Sequence, residues 1–414
     1  MSLNALYVDF NSYFASVEQQ LRPELRGKPI GVLAVMAETT CCIAASYEAK
    51  AFGIKTGTSV RDARKLCKDI RFIEARPPKY VEYHHKLIAI VESCTHVEKV
   101  LSIDEMVCKL TGSQQQKENA LRLAAKIKLA LAKEAGDYIR CSIGIAPNTF
   151  LAKLASNIKK PDGCVVIEQQ DIPEKLYGLK PRDLTGIGSS MEARLNHYKL
   201  NTMQALYAAN KQQLRTAWGS IEGERMYDKL RGIEPYYVKN ARSSLGHSHV
   251  LPPEQRNYDG AKAVLHRLLQ KACMRLRSYE LLTSNISIKV KFRHHPSFNA
   301  ESGCAATDNS RTLTESLETL VQQYPTHDDP PCAVGVRFTG LLNACEVAGD
   351  LFAEKPTISE KKLNKALDIL NMKYGKNTIY LGGAHHALKN APMRIAFNHI
   401  PSLELENIDL KNID

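Results

Sequence analysis

None of the eleven cysteines forms a C-x-x-C pair, and Cys41 and Cys42 are adjacent, a poor geometry for a mutual disulfide. The chain therefore lacks the ligand spacing of a zinc ribbon. An odd count without metal spacing reads as reduced thiols, mostly small buried hydrophobes, in a cytoplasmic protein. Long apolar runs are missing as well. Stretches such as Leu87–Val91 fall far below membrane-spanning length, and no charged-then-apolar signal pattern opens the chain, so no membrane partner is expected. Internal repeats and low-complexity tracts are also absent. What is present is ordinary for a folded soluble protein: 44% hydrophobic and 24% charged residues over 414 positions, a length that suits two to four domains.

The net charge is +12, and it is unevenly placed. Between Arg242 and Arg293 ten Lys/Arg stand against only Glu254, Asp259 and Glu280. That stretch is the first candidate for a surface that meets a phosphate backbone.

Leu3–Phe10 reads as a buried strand that delivers Asp9 at its C-terminal end, and Tyr13, Phe14, Val17 and Leu21 share one face of a following helix. Ile30–Met36 reads as a strand, Ala44–Phe52 and Ser59–Cys67 as short helices, and Pro77-Pro78 closes this inserted lobe. Tyr80–His96 has helical spacing. Val97–Ile103 and Met106–Leu110 read as strands joined at Asp104-Glu105, Glu118–Lys133 as a helix, Tyr138–Ala146 as a strand, Pro147–Ile158 as a helix and Gly163–Ile167 as a last strand. Without the insertion this is a ferredoxin-like α+β layout, with helices on one face of an antiparallel sheet.

Two adjacent acids in a strand point to opposite faces, so Asp104 and Glu105 can serve one site only at a turn or strand end. Alone they read as a solvated hairpin tip. In the ferredoxin-like layout the first strand lies beside that hairpin, and Asp9 meets them. Three converging carboxylates then read either as a salt-bridged structural cluster or as a site for hard divalent cations. A pair of such ions, about 3.5–4 Å apart, stabilises the attacking and leaving oxygens of phosphoryl transfer.

Residues 171–232 read as short helices with turns. Leu184-Thr185-Gly186-Ile187-Gly188, followed by Met191, Leu195 and Leu200, fits a helix-hairpin-helix, and equally an ordinary glycine-containing turn. After a linker at Glu234–Tyr237, strands Ser243–His249, Ser284–Phe292 and Ala333–Thr339 with helices Tyr258–Leu276 and Leu313–Gln322 make a second α+β unit. A looser tail follows, with a helix at Glu360–Met372 and a strand-like Tyr380–Gly382.

Y-V-D-F-N-S-Y-F-A-S-V-E (7–18), S-Y-E-A-K-A-F-G-I-K (46–55), S-I-D-E (102–105), G-I-A-P-N-T-F-L-A-K-L-A-S (144–156) and K-K-P-D-G (159–163) resemble, in order and spacing, the motifs of Y-family translesion DNA polymerases. The likeness covers about residues 1–350. The tail, with N-M-K-Y-G-K-N-T-I-Y-L-G-G, resembles that of the bacterial UmuC branch more than the DinB branch. The resemblance implies a palm (1–16 and 78–167), inserted fingers (17–77), a helix-hairpin-helix thumb (168–233), a linker (234–242), an α+β little finger (243–346) and a C-terminal tail (347–414).

It further implies a low-processivity, low-fidelity polymerase that copies damaged DNA with two Mg²⁺ ions, for which Mn²⁺ can substitute. Asp9 and Asp104 would hold both ions, Glu105 the catalytic one, and the Phe10 carbonyl would complete the nucleotide-side site. Phe14 matches the steric gate against ribonucleotides, although its residue pattern alone equally fits core packing. Tyr47, Lys50 and Lys160 match triphosphate contacts. Many relatives carry Arg where Lys50 stands and a hydroxyl residue where Ala44 stands, and Lys cannot make the bidentate fork of Arg. Ser102 and Lys153 match motif positions too, the first as a structural residue and the second as a supporting charge. Primer–template DNA would be held through Gly186, Gly188, Arg242, Ser244, Lys289, Lys291, Arg293 and Arg337. Asp350-Leu351-Phe352 resembles a sliding-clamp-binding peptide without its usual leading Gln, and the UmuC likeness implies an accessory subunit and a recombinase filament as partners. A non-catalytic DNA-binding scaffold and a palm-type nucleotide cyclase are the alternatives. The first is disfavoured because all three acids are present, the second because a cyclase has no need of the hairpin motif or the basic unit.

Overall fold

The apolar run at the N-terminus forms strand β1 (Ala5–Phe10), every residue of it buried. Leu6 and Val8 have no exposure, and burying each is worth roughly 2 kcal/mol. The computed structural model describes residues 2–237, 242–325, 329–346, 358–375, 377–389 and 400. The chain falls into two compact units that divide between Tyr237 and Val238.

In the first unit β1 is followed by helix α1 (Tyr13–Leu21), strands β2 (Ile30–Leu33) and β3 (Cys42–Ala45), helices α2 (Tyr47–Ala51) and α3 (Val60–Leu66), and strand β4 (Arg71–Glu74). Ser46 and Ser59 cap α2 and α3 by accepting from the N–H groups of Ala49 and Asp62. Then come α4 (Pro77–Cys94), β5 (Val97–Ser102), β6 (Glu105–Lys109), α5 (Lys117–Glu134), β7 (Cys141–Ala146), α6 (Thr149–Ile158) and β8 (Cys164–Val166). Asn148, not Pro147, opens α6, its side chain accepting from the Leu151 N–H.

The main sheet has the order β5-β6-β1-β7-β8. Strand β1 is antiparallel to both β6 and β7, as the ferredoxin-like reading requires, but β8 runs parallel to β7. The expected fully antiparallel sheet is corrected here: α6 carries the chain back so that it re-enters in the same direction, and a crossover of that kind makes a parallel pair. The inserted lobe is not only helical. Strands β2, β3 and β4 form a small sheet of order β3-β2-β4, with Ala44 and Ala45 in β3 where a helix start is expected.

Helices α7 (Glu174–Tyr177), α8 (Ser189–His197), α9 (Met203–Ala208), α10 (Lys211–Trp218) and α11 (Glu222–Leu230) complete this unit. Their core, which includes Leu184, Ile187, Leu195 and Leu214, is continuous with Ala5, Tyr7 and Val107 of the main sheet.

The second unit holds β9 (Ser244–Val250), α12 (Tyr258–Ser278), β10 (Leu281–Phe292), β11 (Phe298–Thr307), α13 (Ser310–Gln322), β12 (Pro331–Asn343) and α14 (Ile358–Tyr374). Its antiparallel sheet has the order β11-β10-β12-β9. Ile286, Ile288, Val290, Val334, Val336 and Phe338 pack against α12 and α13 on one face. Strand β11 has no counterpart in the sequence reading: its Asn, Ser, Gly and Ala residues are half-buried or exposed, and only pairing with β10 makes it a strand.

The tail docks on this unit. Arg277 makes a two-pronged pair with Asp368 (2.6 and 2.8 Å), and Gln270 exchanges hydrogen bonds with the Leu381 backbone (3.1 and 3.3 Å). Residues Gly382–Ala387 form a 3₁₀ turn against α12, not the strand-like segment expected at Tyr380–Gly382.

Candidate active site

Register does the first work. β1 pairs with β6 so that Asp9 stands opposite Glu105, and Ile103-Asp104 is the two-residue turn between β5 and β6. Asp104-Glu105 is therefore a hairpin tip, but a half-buried one that meets Asp9 at the end of β1, not the solvated tip that the two acids suggest alone. The tip lies at the end of β1, where the Phe10 N–H donates to the Asp104 carbonyl at 2.9 Å. From behind, His84 of α4 contacts the Ile103 carbonyl through Nδ1 at 2.7 Å. Burial pushes this imidazole down to about 4, so it is neutral at physiological pH.

Asp9 is 5% exposed and accepts from two ammonium groups, Lys153 Nζ at 2.5 Å and Lys160 Nζ at 2.6 Å. Lys153 also pairs with Glu105, which further accepts from the Tyr7 hydroxyl at 3.0 Å. Ser102 donates to Asp104 at 2.6 Å. Burial raises Asp104 to about 6, and the neighbouring charges of Glu105 and Asp9 add to this while the Ser102 bond opposes it. Burial alone would lower Lys153, but Asp9 and Glu105 outweigh it and hold the ammonium above its ordinary value.

The inserted lobe brings in further groups. Tyr47 opens α2, and burial together with the charge of Asp9 pushes its phenol up to about 12. The Lys50 ammonium lies over the Tyr47 ring at 4.4 Å, and it is lowered by burial and then by repulsion from Lys160. The residue as a whole is solvent-exposed; the enclosed part is its head group, folded over the ring. Phe14 stacks on Tyr80, with centroids 4.5 Å apart and planes at 18°. Tyr80 is fixed in turn by its hydroxyl bond to Glu18 (2.9 Å), a fully buried carboxylate also held by Arg76 at 2.7 and 3.1 Å.

Asp9, Asp104, Glu105, Tyr47, Lys50 and Lys160 thus converge beside Phe10, while Phe14 is held by its ring contacts to Tyr13 and Tyr80. Lys153 is more central than a supporting charge, because it bridges two of the acids. Sequence reasoning missed Tyr7, although period-2 alternation puts it on the same face of β1 as Asp9. It missed Glu18 and Arg76 too, and no local pattern links residues so far apart.

Carboxylates and a backbone carbonyl are the oxygen donors that hard divalent cations take. The chemistry of the donor set fits such ions. Among the described residues no three acids, His or Cys are gathered closely enough to hold a metal, and the Lys153 ammonium stands between Asp9 and Glu105.

Gly186 has φ of 95°, the left-handed region open to glycine, and Gly188 precedes α8; both are exposed. In the second unit Ser244, Lys289, Lys291 and Arg337 share the open face of the sheet, opposite α12 and α13. There a cleft of about 740 Å³ is lined by Ser244, Gly246, Ser287, Lys289, Glu301 and Arg337. Arg293 lies just past the end of β10, and Arg242 stacks over Tyr279 at 4.2 Å. The basic stretch does not form one surface. Lys262, Arg267, Lys271, Arg275 and Arg277 belong to α12 on the other side of the sheet, where Lys262 pairs with Glu318 at 2.8 Å and Arg267 is 5% exposed. Asp350, Leu351 and Phe352 lie outside the described residues.

Three family profiles match the chain: the impB/mucB/samB family over residues 8–157, its C-terminal domain over 242–351, and the thumb domain of DNA polymerase iota over 182–234. The DNA polymerase IV of Moorella thermoacetica is 32% identical over 386 residues, covering 91% of this chain and 94% of that protein. That of Pelotomaculum thermopropionicum is 30% identical over 391 residues, covering 90% and 93%. The chain belongs to the Y family of DNA polymerases. Its activity is that of a low-fidelity, DNA-directed DNA polymerase.

The fold agrees. A chimera of the Y-family polymerases Dbh and Dpo4 superposes with a TM-score of 0.69 at 22% identity, covering 82% of this chain and 99% of that one. Palm, inserted fingers, helix-hairpin-helix thumb and little finger are all present.

The expected UmuC branch is corrected. These two polymerase IV relatives match 90% and 91% of the chain, which carries their likeness into the tail and favours the DinB type. Part of the tail sequence that suggested UmuC makes docking contacts to the little finger, as at Leu381. The accessory subunit and recombinase filament were implied only by that branch and lose their ground with it. Among the described residues no helix is long and apolar enough to cross a membrane.

Proposed function

We propose that the chain extends a primer on template DNA by adding deoxynucleotides at the convergence of Asp9, Asp104 and Glu105, with domain limits close to those read from the sequence. The observation that carries this is the pairing of Asp9 with Glu105 beside the Asp104 turn, ringed by Lys50, Lys153 and Lys160. Asp9, Asp104, Glu105 and the Phe10 carbonyl would hold the divalent cations, Mg²⁺ with Mn²⁺ as a substitute. When bound, such ions polarise the primer 3′-hydroxyl and neutralise charge on the triphosphate and the departing pyrophosphate.

The chain's own residues do the rest. Lys160, Lys50 and Tyr47 grip the triphosphate, where cations and a hydroxyl meet growing negative charge. Lys153 bridges Asp9 and Glu105 and holds the two carboxylates in place; it would give up that bridge where a cation takes up the same oxygens. Phe14, backed by Tyr80, stands where a ribose 2′-hydroxyl would come and excludes it. The exposed glycines of the thumb hairpin and the open face of the little finger, with Arg242, Ser244, Lys289, Lys291, Arg293 and Arg337, track the DNA backbone.

Primer extension tests the reading, with Asp104→Ala as the comparison. A wild-type protein that binds primer–template but does not extend it would favour the scaffold instead. Residues 347–352 are the proposed sliding-clamp peptide. Deleting them should lower processivity with a clamp present and leave clamp-free extension unchanged; equal loss in both assays would remove this part.

A further inference from the structure

Lys160 reaches the active site from an irregular loop, so something must hold that loop. The structure places two buried polar side chains under it. Asn11, 2% exposed, follows β1 directly, and Ser142, with no exposure, lies in β7. Asn11 Nδ2 donates to Ser142 Oγ at 3.0 Å and lies 3.4 Å from the Asp9 carbonyl. Asn11 Oδ1 accepts from the Asp162 N–H at 2.8 Å and is 3.3 Å from Ser142 Oγ. Ser142 Oγ also accepts from the Gly163 N–H at 3.4 Å and lies 3.4 Å from the Lys159 carbonyl.

The backbone on either side of Lys160 is thus tied to the end of β1, which carries Asp9, and to β7, whose Ser142 stands opposite Asp9 in the register. The loop also has little room to relax. Asp162 sits at φ of 56°, and a Cβ on Gly163 would come within 1.9 Å of the Lys159 carbonyl. At the free end of this clamp the Lys160 ammonium lies 2.6 Å from Asp9.

Buried polar groups must be satisfied somewhere, and that alone would account for an Asn–Ser pair. It does not account for where these bonds go. Apart from the contacts within β1 and with its pair, the amide and hydroxyl spend their capacity on the Lys159–Gly163 backbone.

We infer that Asn11, acting through Ser142 and this loop, is a positioning residue for Lys160 and so sets the grip on the incoming nucleotide's triphosphate. The inference rests on the proposed role of Lys160 as a triphosphate contact. A loosened loop lets the ammonium wander, which weakens nucleotide binding more than the chemical step.

The test is single-nucleotide insertion kinetics with full-length wild type, Asn11→Ala, Ser142→Ala, Lys160→Ala and the Asn11→Ala/Lys160→Ala double variant. Asn11→Ala should raise KM for the nucleotide about tenfold, the scale of one lost hydrogen bond to a charged group, and change kcat much less. The double variant should be no worse than Lys160→Ala alone, since both act through one ammonium. Ser142→Ala removes a single hydroxyl and should give a smaller rise of the same kind, which keeps the test open if Asn11→Ala folds poorly. Additive losses, or a fall in kcat at unchanged KM, would overturn the inference while leaving Lys160 in place. An unchanged KM in Lys160→Ala would overturn the reading of Lys160 itself, and the inference with it.

Discussion

At the head of the palm, charges of both signs meet inside the fold. Asp9 is almost wholly enclosed and takes two ammonium groups, and Asp104 is raised by burial. On the open face of the little finger, Lys289, Lys291 and Arg337 stand exposed on neighbouring strands, with Ser287 and Gly335 beside them in the register. The first arrangement concentrates field in a site of low dielectric, where each charge depends on its partners. The second spreads charge over a surface in contact with water, where each cation acts nearly alone and salt screens it. A palm substitution should therefore be all-or-none in its effect on chemistry, and a little-finger substitution graded.

The largest effect expected is that of Asp104→Ala. Primer extension should fall by at least about a thousandfold, because the remaining acids cannot compensate a missing ligand at the site of charge development. Binding of primer–template should change little. Residual extension within tenfold of wild type would break the contrast at its strong end. Next comes Phe14→Ala, which should lower discrimination against ribonucleotides by roughly 100-fold with much smaller loss of deoxynucleotide insertion. Unaltered discrimination would return Phe14 to plain packing against Tyr80.

Two arginines sharpen the comparison from the other side. Arg337 is exposed on the open face, whereas Arg277 lies behind the sheet, bonded to Asp368, the Asp308 carbonyl and Ser310. Arg337→Ala should reduce the slope of log K against log salt by about 0.9, the worth of one phosphate contact, and leave the melting temperature alone. Arg277→Ala should leave that slope unchanged and destabilise the unit by roughly 2–4 kcal/mol, because it strands Asp368 and frees the tail helix. Equal salt slopes for the two variants would show that the whole basic stretch contacts DNA after all.

That division was hidden in the sequence. Counting Lys and Arg from 242 to 293 adds a helix to a strand, and only the fold shows that they lie on opposite sides of a sheet. The palm was far more legible. Asp9 ends an apolar run, Asp104-Glu105 sits at a turn, and one topology brings them together, so local pattern and register suffice. What stayed unread depends on tertiary pairing. Strand β4 exists because β2 lies parallel to it, and β11 has no apolar alternation of its own. Glu18 and Arg76 bond across 58 residues of chain. The turn at Gly382–Ala387 takes its form from α12, which the sequence of the tail does not contain.

The smallest effect is a matter of pH and divalent cation, and its sign follows from Asp104. Its carboxyl is raised to about 6, above the ordinary value of 3.8, chiefly by burial. Between those values the folded protein holds the proton more tightly than the unfolded chain does. Stability should therefore fall as pH rises from about 4 to about 6, and the penalty should persist in full above that window. A divalent cation binds the ionised acids of the folded state alone, so it should offset the penalty where Asp104 is charged and do little where it is protonated. Thermal melts with and without Mg²⁺ should show a gain of roughly 3–6 °C at pH 7.5 and markedly less at pH 5. Asp104→Asn should melt higher than wild type at pH 7.5 without the ion, and should lose most of the gain with it. Equal gains at both pH values, or an undiminished gain in Asp104→Asn, would mean that the ion acts elsewhere, and that the palm's charges are no more coupled than those on the open face of the little finger.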